Sequence, residues 1–535
     1  MFDTTRRPSK AASYLGRLEY LRNDVPVNDD AGLPNKVPRQ LSDTDLAILR
    51  VQGVNDLPPS HIRASLMEVF WTRCYPWTPV VKREWVEDPQ SSLLLQHAMM
   101  LAGSRVTPVY QDYPPLEFYK KAKVLFWTGT EEDPIIMIAA TLLLHWWNPE
   151  GPESVSIDTS SFWLRICVGL AYQVGLHREP VGKPDAGLRK RIWWSLVVRD
   201  CLINAGHGRP RAIDLKLADV SPVSTLDFEG AAEAVDVFSA YVEISCILGD
   251  LTQSYLRKHG LQEQKKSLED RLFRWLKTLP DHLQLCYPTD SWPLKEFSIE
   301  TWSLHIQYFT VVIILNRSPD GKSSPSAASL LASSFIAGLF ADLMAREQLQ
   351  YLGPIFTFYC LTAGMAQLSC YRYTEIIQTA EDNLLVLKRA LEELGKRWPT
   401  AVGSLKHLLD VREKVMQKPS LGHFPEVSIP VSTAEFFSNF GSDLCRMWFP
   451  IYQRVPQKMS RELETAGILH GLRTPATQTV DLDMASAAAM RQQMTQNQGA
   501  ETALEPTMLQ PQEWFGPYGG MANWLMADWG QGLGW

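Results

Sequence analysis

The chain has 535 residues, 45% hydrophobic and 21% charged, with 18 tryptophans. That length and composition support a sizeable buried core and lie outside the range of disordered chains. A formal charge of −7 excludes a chain that grips nucleic acid through its overall charge, which needs a concentrated basic surface.

Residues 1–40 are polar and punctuated by proline, and are expected to form an N-terminal arm. Within this arm, Tyr14, Leu15, Leu18, Tyr20 and Leu21 form a small apolar cluster that is expected to dock on the body that follows. Arg6, Arg7 and Lys10 are read as a solvated end.

Residues 41–415 read as nearly all helix. Ser42 with Asp45 three residues later resembles a capping box, and Pro58-Pro59-Ser60 opens a helix whose apolar positions Ile62, Leu66, Val69 and Phe70 keep helical spacing. Further helical runs are expected over 91–104, 116–129, 134–147, 162–177, 189–207, 234–256, 267–283, 302–316, 326–344, 355–372 and 380–398. Strand-type alternation is scarce and no fixed repeat period appears, so the expected fold is all-α, a large irregular helical array. No run reaches eighteen uninterrupted apolar residues. The longest candidate, Pro134 to Trp147, carries His145 and is read as a buried helix, so no membrane partner is expected.

Residues 416–474 read as a connecting segment, partly helical. Residues 475–535 are a Gln/Met/Trp-rich tail, expected to be disordered. It mixes Trp514, Phe515, Trp524, Leu525 and Trp529 with acidic Asp481, Asp483, Glu501, Glu505, Glu513 and Asp528 against the single base Arg491. Acidic residues keep aromatics accessible, and such a segment can fold onto a coactivator groove. The competing reading is a tail docked on its own domain.

The eight cysteines are Cys74, Cys167, Cys201, Cys246, Cys286, Cys360, Cys370 and Cys445. None pair at CxxC spacing, and most sit in apolar runs, as buried reduced thiols do. No residues of this chain are assigned to a metal or a cofactor. Asp200, Cys201 and His207 invite a nucleophile triad, but no nucleophile elbow or phosphate loop accompanies them, so no catalytic residues and no enzyme activity are expected. His145 beside Trp146 and Trp147 is read as core packing in preference to a ligand pocket. His177, Arg178 and Glu179 are read as a helix C-terminus, where positive side chains suit the dipole.

The most informative stretch is 162–210. FWLRICVGLAYQVGLHREP precedes RKRIWWSLVVRDCLINAGHGRP, in which basic residues, Trp193-Trp194, Asp200 and the Gly208-Arg209-Pro210 breaker follow in order. Trp193 and Trp194 are expected to pack on neighbouring helices. Arg191 and Asp200 are expected to act as partners across that packing, since a buried charge needs one. Arg209 is expected to reach backward to a carboxylate or carbonyl.

Together with the Tyr75-Pro76-Trp77-Thr78-Pro79 turn and the later Trp275-to-Pro280 helix end, this stretch resembles the middle regulatory region of fungal binuclear zinc-cluster transcription factors, of the cutinase transcription factor type. Tyr75 stands where the family often has His. The resemblance covers roughly residues 55–320. It marks His177, Arg178, Arg191, Trp193, Trp194, Asp200, Gly208, Arg209 and Pro210 as structural signature positions.

It implies a nuclear transcriptional regulator, of a kind that controls secondary-metabolite or catabolic gene clusters. The expected partners are a homo- or heterodimer with a zinc-cluster factor, and the transcription machinery through the tail. The family's six-cysteine DNA-reading module has no counterpart in this sequence. Zinc and DNA would enter only through a module outside it, or DNA indirectly through a partner. The alternative is a non-DNA-binding modulator that dimerises with an intact zinc-cluster factor; a remote one is an enzyme on a diverged helical scaffold.

Overall fold

The computed structural model describes Tyr14 and residues 41–452, apart from 88–90, 108–111, 152–153, 229–231, 258–259, 290, 318–325 and 418–433. Helices α1 (Asp43–Val51), α2 (Ser60–Val69), α3 (Glu84–Glu87), α4 (Leu93–Arg105), α5 (Pro115–Thr128), α6 (Pro134–Leu143), α7 (Ser160–Gln173) and α8 (Ala186–His207) make the first half. Helices α9 (Ala232–Leu256), α10 (Gly260–Thr278), α11 (Ile299–Leu315), α12 (Ala327–Ala345), α13 (Ile355–Leu368), α14 (Ile377–Gly395), α15 (Pro399–Met416) and the short α16 (Trp448–Tyr452) follow. Among the described residues no strand forms; one isolated bridge joins Cys286 and Leu294.

Local chemistry sets the helix ends. The predicted capping box of α1 is present, with the Asp45 N–H donating to Ser42 Oγ at 3.1 Å and the Ser42 N–H to Asp45 Oδ2 at 3.2 Å. Asp133 accepts from the Ile135 N–H at 2.8 Å, and Pro134 takes the first helical position of α6, where its missing N–H costs nothing. Gly208, at φ +61°, ends α8 in the left-handed region that a Cβ disfavours.

Packing runs between sequence neighbours and across the array. Helix α4 lies on α5 and α6, α8 on α9, α9 on α10 and α11, and α12, α13, α14 and α15 pack successively. Helices α4, α11 and α12 are apolar nearly all round because neighbours surround them. Helix α12 is long and apolar enough to cross a membrane by length and composition, an outcome the sequence reading did not anticipate. Its most apolar window is 83% buried against other helices, as a core helix requires.

The stretch 434–452, read from sequence as part of a connecting segment, contributes to this same core. Phe436, Phe437, Phe440, Met447 and Trp448 are buried. Phe436 stacks on Phe273 at 4.4 Å, and its carbonyl accepts from the Tyr308 hydroxyl at 2.8 Å. Helix α12 admits the segment at Gly338, where a Cβ would stand 2.1 Å from the Leu444 carbonyl oxygen.

Candidate functional site

The signature residues of the α7–α8 region are brought together, with roles that differ in part from the expectation. Asp200 is fully buried on α8. Its carboxylate accepts from the backbone N–H of Ala212 at 2.8 Å and of Ile213 at 2.9 Å, and from Asn204 Nδ2 at 2.7 Å. Burial raises its pKa, opposed by these amides and by Arg165 and Arg211. Asp200 therefore fastens the loop that leaves α8 after Gly208-Arg209-Pro210. The backbone N–H of Arg209 returns to the Asn204 carbonyl at 3.1 Å, and the Pro210 carbonyl accepts from Arg165 at 2.9 Å.

Arg191 is not the partner of Asp200. The two lie nine residues apart, about two and a half helical turns, and so on opposite faces of α8. Arg191 donates instead to the Tyr75 hydroxyl at 2.6 Å and lies over the Phe228 ring at 5.2 Å. Tyr75, the position where His is the commoner family residue, thus ties the aromatic-Pro-Trp turn to the basic end of α8.

The neighbouring positions also divide their work. Trp193 is buried beside Tyr172 of α7, with ring centroids 6.1 Å apart. Trp194 is half-buried, and its Nε1–H donates to the Ser221 carbonyl at 2.9 Å, so it holds a loop as well as packing. Lys190, one turn earlier, pairs with Glu179 at 2.7 Å, and Glu179 accepts from the Ser221 N–H at 2.6 Å.

His177 lies past the end of α7 and is buried edge-on against Tyr14 and Tyr172, each 4.9 Å away. Burial and then Arg178 lower its pKa, and its ring packs between the two tyrosines. Arg178 donates to the Tyr14 hydroxyl at 3.0 Å, and the Tyr14 N–H donates to the Gln173 carbonyl at 2.7 Å. Of the predicted N-terminal apolar cluster, Tyr14 is described and docks on this corner; Leu15, Leu18, Tyr20 and Leu21 lie outside the described residues.

The residues of the suggested nucleophile triad serve separate structural ends. Cys201 is buried with its pKa raised by its neighbour Cys246 and by burial, and Arg211 stands 3.8 Å from its sulfur. His207 is driven down to about 4 by burial and by Arg209. Asp200 is occupied by the loop amides. Among the described residues, no three His, Cys, Asp or Glu side chains group as a metal site does.

A cavity of about 40 Å³ lies where the two halves of the array meet. A π-helical turn, Phe70–Cys74, continues α2 and carries Arg73 to its wall; α8 supplies Arg199, and the turn after α6 supplies Trp146. Helices α11 and α13 supply Glu300 and Tyr359 from the other side. Arg199 lies 5.3 Å from the Trp146 ring, and Arg73 lies 4.1 Å from that of Tyr351. His145 is buried behind this wall, its pKa lowered to about 3 by burial and then Arg199. It packs in the core, as expected from the sequence.

The family model of the fungal specific transcription factor domain matches residues 67–287. Cutinase transcription factor 1 alpha of Fusarium vanettenii is 27% identical over 414 residues, 69% of this chain and 45% of that protein. The acetamidase regulatory protein of Aspergillus fumigatus is 28% identical over 354 residues, 59% of this chain and 44% of that protein. The acetamidase regulatory protein of Emericella nidulans is 26% identical over 347 residues, 59% of this chain and 42% of that protein.

Residues 67–287 match the model of the fungal specific transcription factor domain. The resemblance to the regulatory region of zinc-cluster factors, cutinase transcription factor type, therefore stands. The chain spans less than half the length of these curated relatives. No solved structure matches it.

The matched stretch begins in α2 and ends just beyond α10. It contains every structural signature position from His177 to Pro210, and the Arg73, Trp146 and Arg199 wall of the cavity. The opposite wall, with Glu300 and Tyr359, comes from helices beyond the domain. Sequence reasoning missed this junction because its residues are scattered from 73 to 359. The suggested coactivator-binding residues Trp514, Phe515, Trp524, Leu525 and Trp529 lie outside the described residues.

Proposed function

We propose that this protein is a nuclear transcriptional regulator whose helical array is the regulatory body and whose 475–535 tail engages the transcription machinery. The observation that carries the reading is the fungal specific transcription factor domain at 67–287, together with relatives that bear the names of regulators. No catalytic constellation among the described residues favours an enzyme. The finer reading assigns it to a gene cluster for secondary metabolism or catabolism.

The sequence contains no zinc cluster, since none of its eight cysteines stand at CxxC spacing. A second reading is a modulator that pairs with an intact zinc-cluster factor and reaches DNA through it. Both readings are tested by fusing the full chain, and separately residues 475–535, to a heterologous DNA-binding domain in a fungal reporter strain. The regulator reading expects the full chain to change reporter output and the tail alone to raise it. Reporter output unchanged by both fusions, with both proteins nuclear and expressed, refutes an autonomous regulator. Co-purification of a zinc-cluster factor with the tagged chain then supports the modulator reading, and its absence refutes that reading too.

A further inference from the structure

The cavity between the transcription factor domain and helices α11 and α13 has an unbalanced wall. Arg199 is half-buried, and its guanidinium donates to Thr78 Oγ1 at 3.3 Å. A guanidinium has five N–H donors, so among the described residues most of this donor set meets no acceptor. Among the described residues neither Arg199 nor Arg73 has a carboxylate within ion-pair distance. Both are held by aromatic faces, Trp146 and Tyr351. A positive charge kept partly out of water without an anion is costly, and a bound anion relieves that cost.

Two further donors point to the same conclusion. Tyr359 is 1% exposed and Trp146 4% exposed, both line the cavity, and among the described residues the Tyr359 hydroxyl and Trp146 Nε1–H have no hydrogen-bond partner. Buried polar groups are nearly always satisfied, and an unpaired pair at one cavity calls for a ligand or water that accepts. The one carboxylate on the wall, Glu300, accepts from the Ser298 hydroxyl at 2.9 Å. The positive field of Arg199 is felt around the cavity, at Cys74, His145, Tyr241 and Tyr359.

We propose that this cavity binds a small carboxylate anion, its oxygens held by Arg199 and Arg73 and by the Tyr359 hydroxyl and Trp146 indole N–H. The planar guanidinium fork suits a carboxylate better than a spherical ion. A volume of about 40 Å³ holds roughly three or four water-sized groups at 10–15 Å³ each, which fits acetate. Because the walls come from both sides of the domain boundary, the anion would fasten the transcription factor domain to the helices that follow. The binding stands independently of whether the chain regulates transcription.

The test uses the purified full chain titrated with sodium acetate against sodium chloride at fixed ionic strength and pH 7.5. Thermal unfolding and saturation-transfer NMR of the acetate methyl protons are followed. Saturable stabilisation by acetate, absent with hexanoate, is expected. Arg199→Gln should weaken acetate binding at least tenfold. Tyr359→Phe, which removes only the unpaired hydroxyl, should weaken it several-fold while leaving the unliganded chain at least as stable as the parent, so the proposal does not depend on whether the arginine variant folds. Acetate that acts no differently from chloride overturns the proposal, as does parental affinity in Tyr359→Phe. Nitrate or phosphate binding as tightly as acetate overturns the carboxylate assignment.

Discussion

Replacing Asp200 tests the account of the signature region at one atom group. Its Oδ1 accepts from Ala212 N–H and Asn204 Nδ2, and its Oδ2 from Ile213 N–H, all within 2.9 Å and out of contact with water. Asp200→Asn keeps the first oxygen and turns an NH₂ group toward the Ile213 N–H. One charge-assisted bond is lost, about 1.5–3 kcal/mol, offset in part because burial disfavours the charge that is removed. Asp200→Ala leaves the Ala212 and Ile213 amides without their acceptor, and about 3–5 kcal/mol is expected, as for other broken buried charge networks.

The assay is urea unfolding of the full chain combined with hydrogen exchange read by mass spectrometry over residues 211–214. Both variants should unfold at lower urea, Ala more than Asn. The Ala212 and Ile213 amides should exchange faster even where the global midpoint moves little. Variants within about 0.5 kcal/mol of the parent, with exchange at 211–214 unchanged, would refute the loop-fastening role of Asp200.

Other outcomes follow from the same geometry. Gly338→Ala places a Cβ against the Leu444 carbonyl oxygen, a backbone atom that cannot yield cheaply; a loss of about 1–3 kcal/mol and faster proteolysis within 434–452 are expected, measured by denaturant midpoint and limited digestion. His97, His145 and His305 are buried with pKa values lowered to about 4, 3 and 4. Below the unfolded value near 6.5 the unfolded chain binds the extra protons, so stability present above pH 6.5 is lost as pH falls toward 4. At pH 5 this amounts to about 2 kcal/mol per histidine, from 1.36 kcal/mol per unit, and the urea midpoint should fall between pH 7.5 and 5. A flat profile would contradict neutral buried rings. Seven of the eight thiols are buried and Cys246 is partly exposed, so alkylation of the native chain should label Cys246 first and the full set only in urea. Rapid labelling of several cysteines under native conditions would contradict the core.

The helices were legible because most present a standard apolar period and cap, as α1 with Ser42 and Asp45 shows. Helix α15 escaped because Thr400, Ala401 and Ser404 occupy its buried stripe alongside Leu408, Val411 and Val415, and small or polar residues blur the pattern. The 434–452 segment announced itself only as isolated aromatics, whose partners Phe273 and Tyr308 lie more than a hundred residues away. Arg191 and Asp200 were misjudged as partners although their spacing already sets them on opposite faces of one helix. The cavity was illegible in principle, since two arginines without anions are defined by what folding fails to place beside them.

The central claim, that the chain regulates transcription, is tested most directly by tagging it at its own locus and mapping its chromatin occupancy alongside transcript changes on its deletion. The account predicts discrete promoter occupancy, reached directly or through a partner, with the genes beside those promoters changing expression. A chain absent from chromatin, whose deletion leaves transcripts unchanged under conditions in which it is expressed, would contradict it.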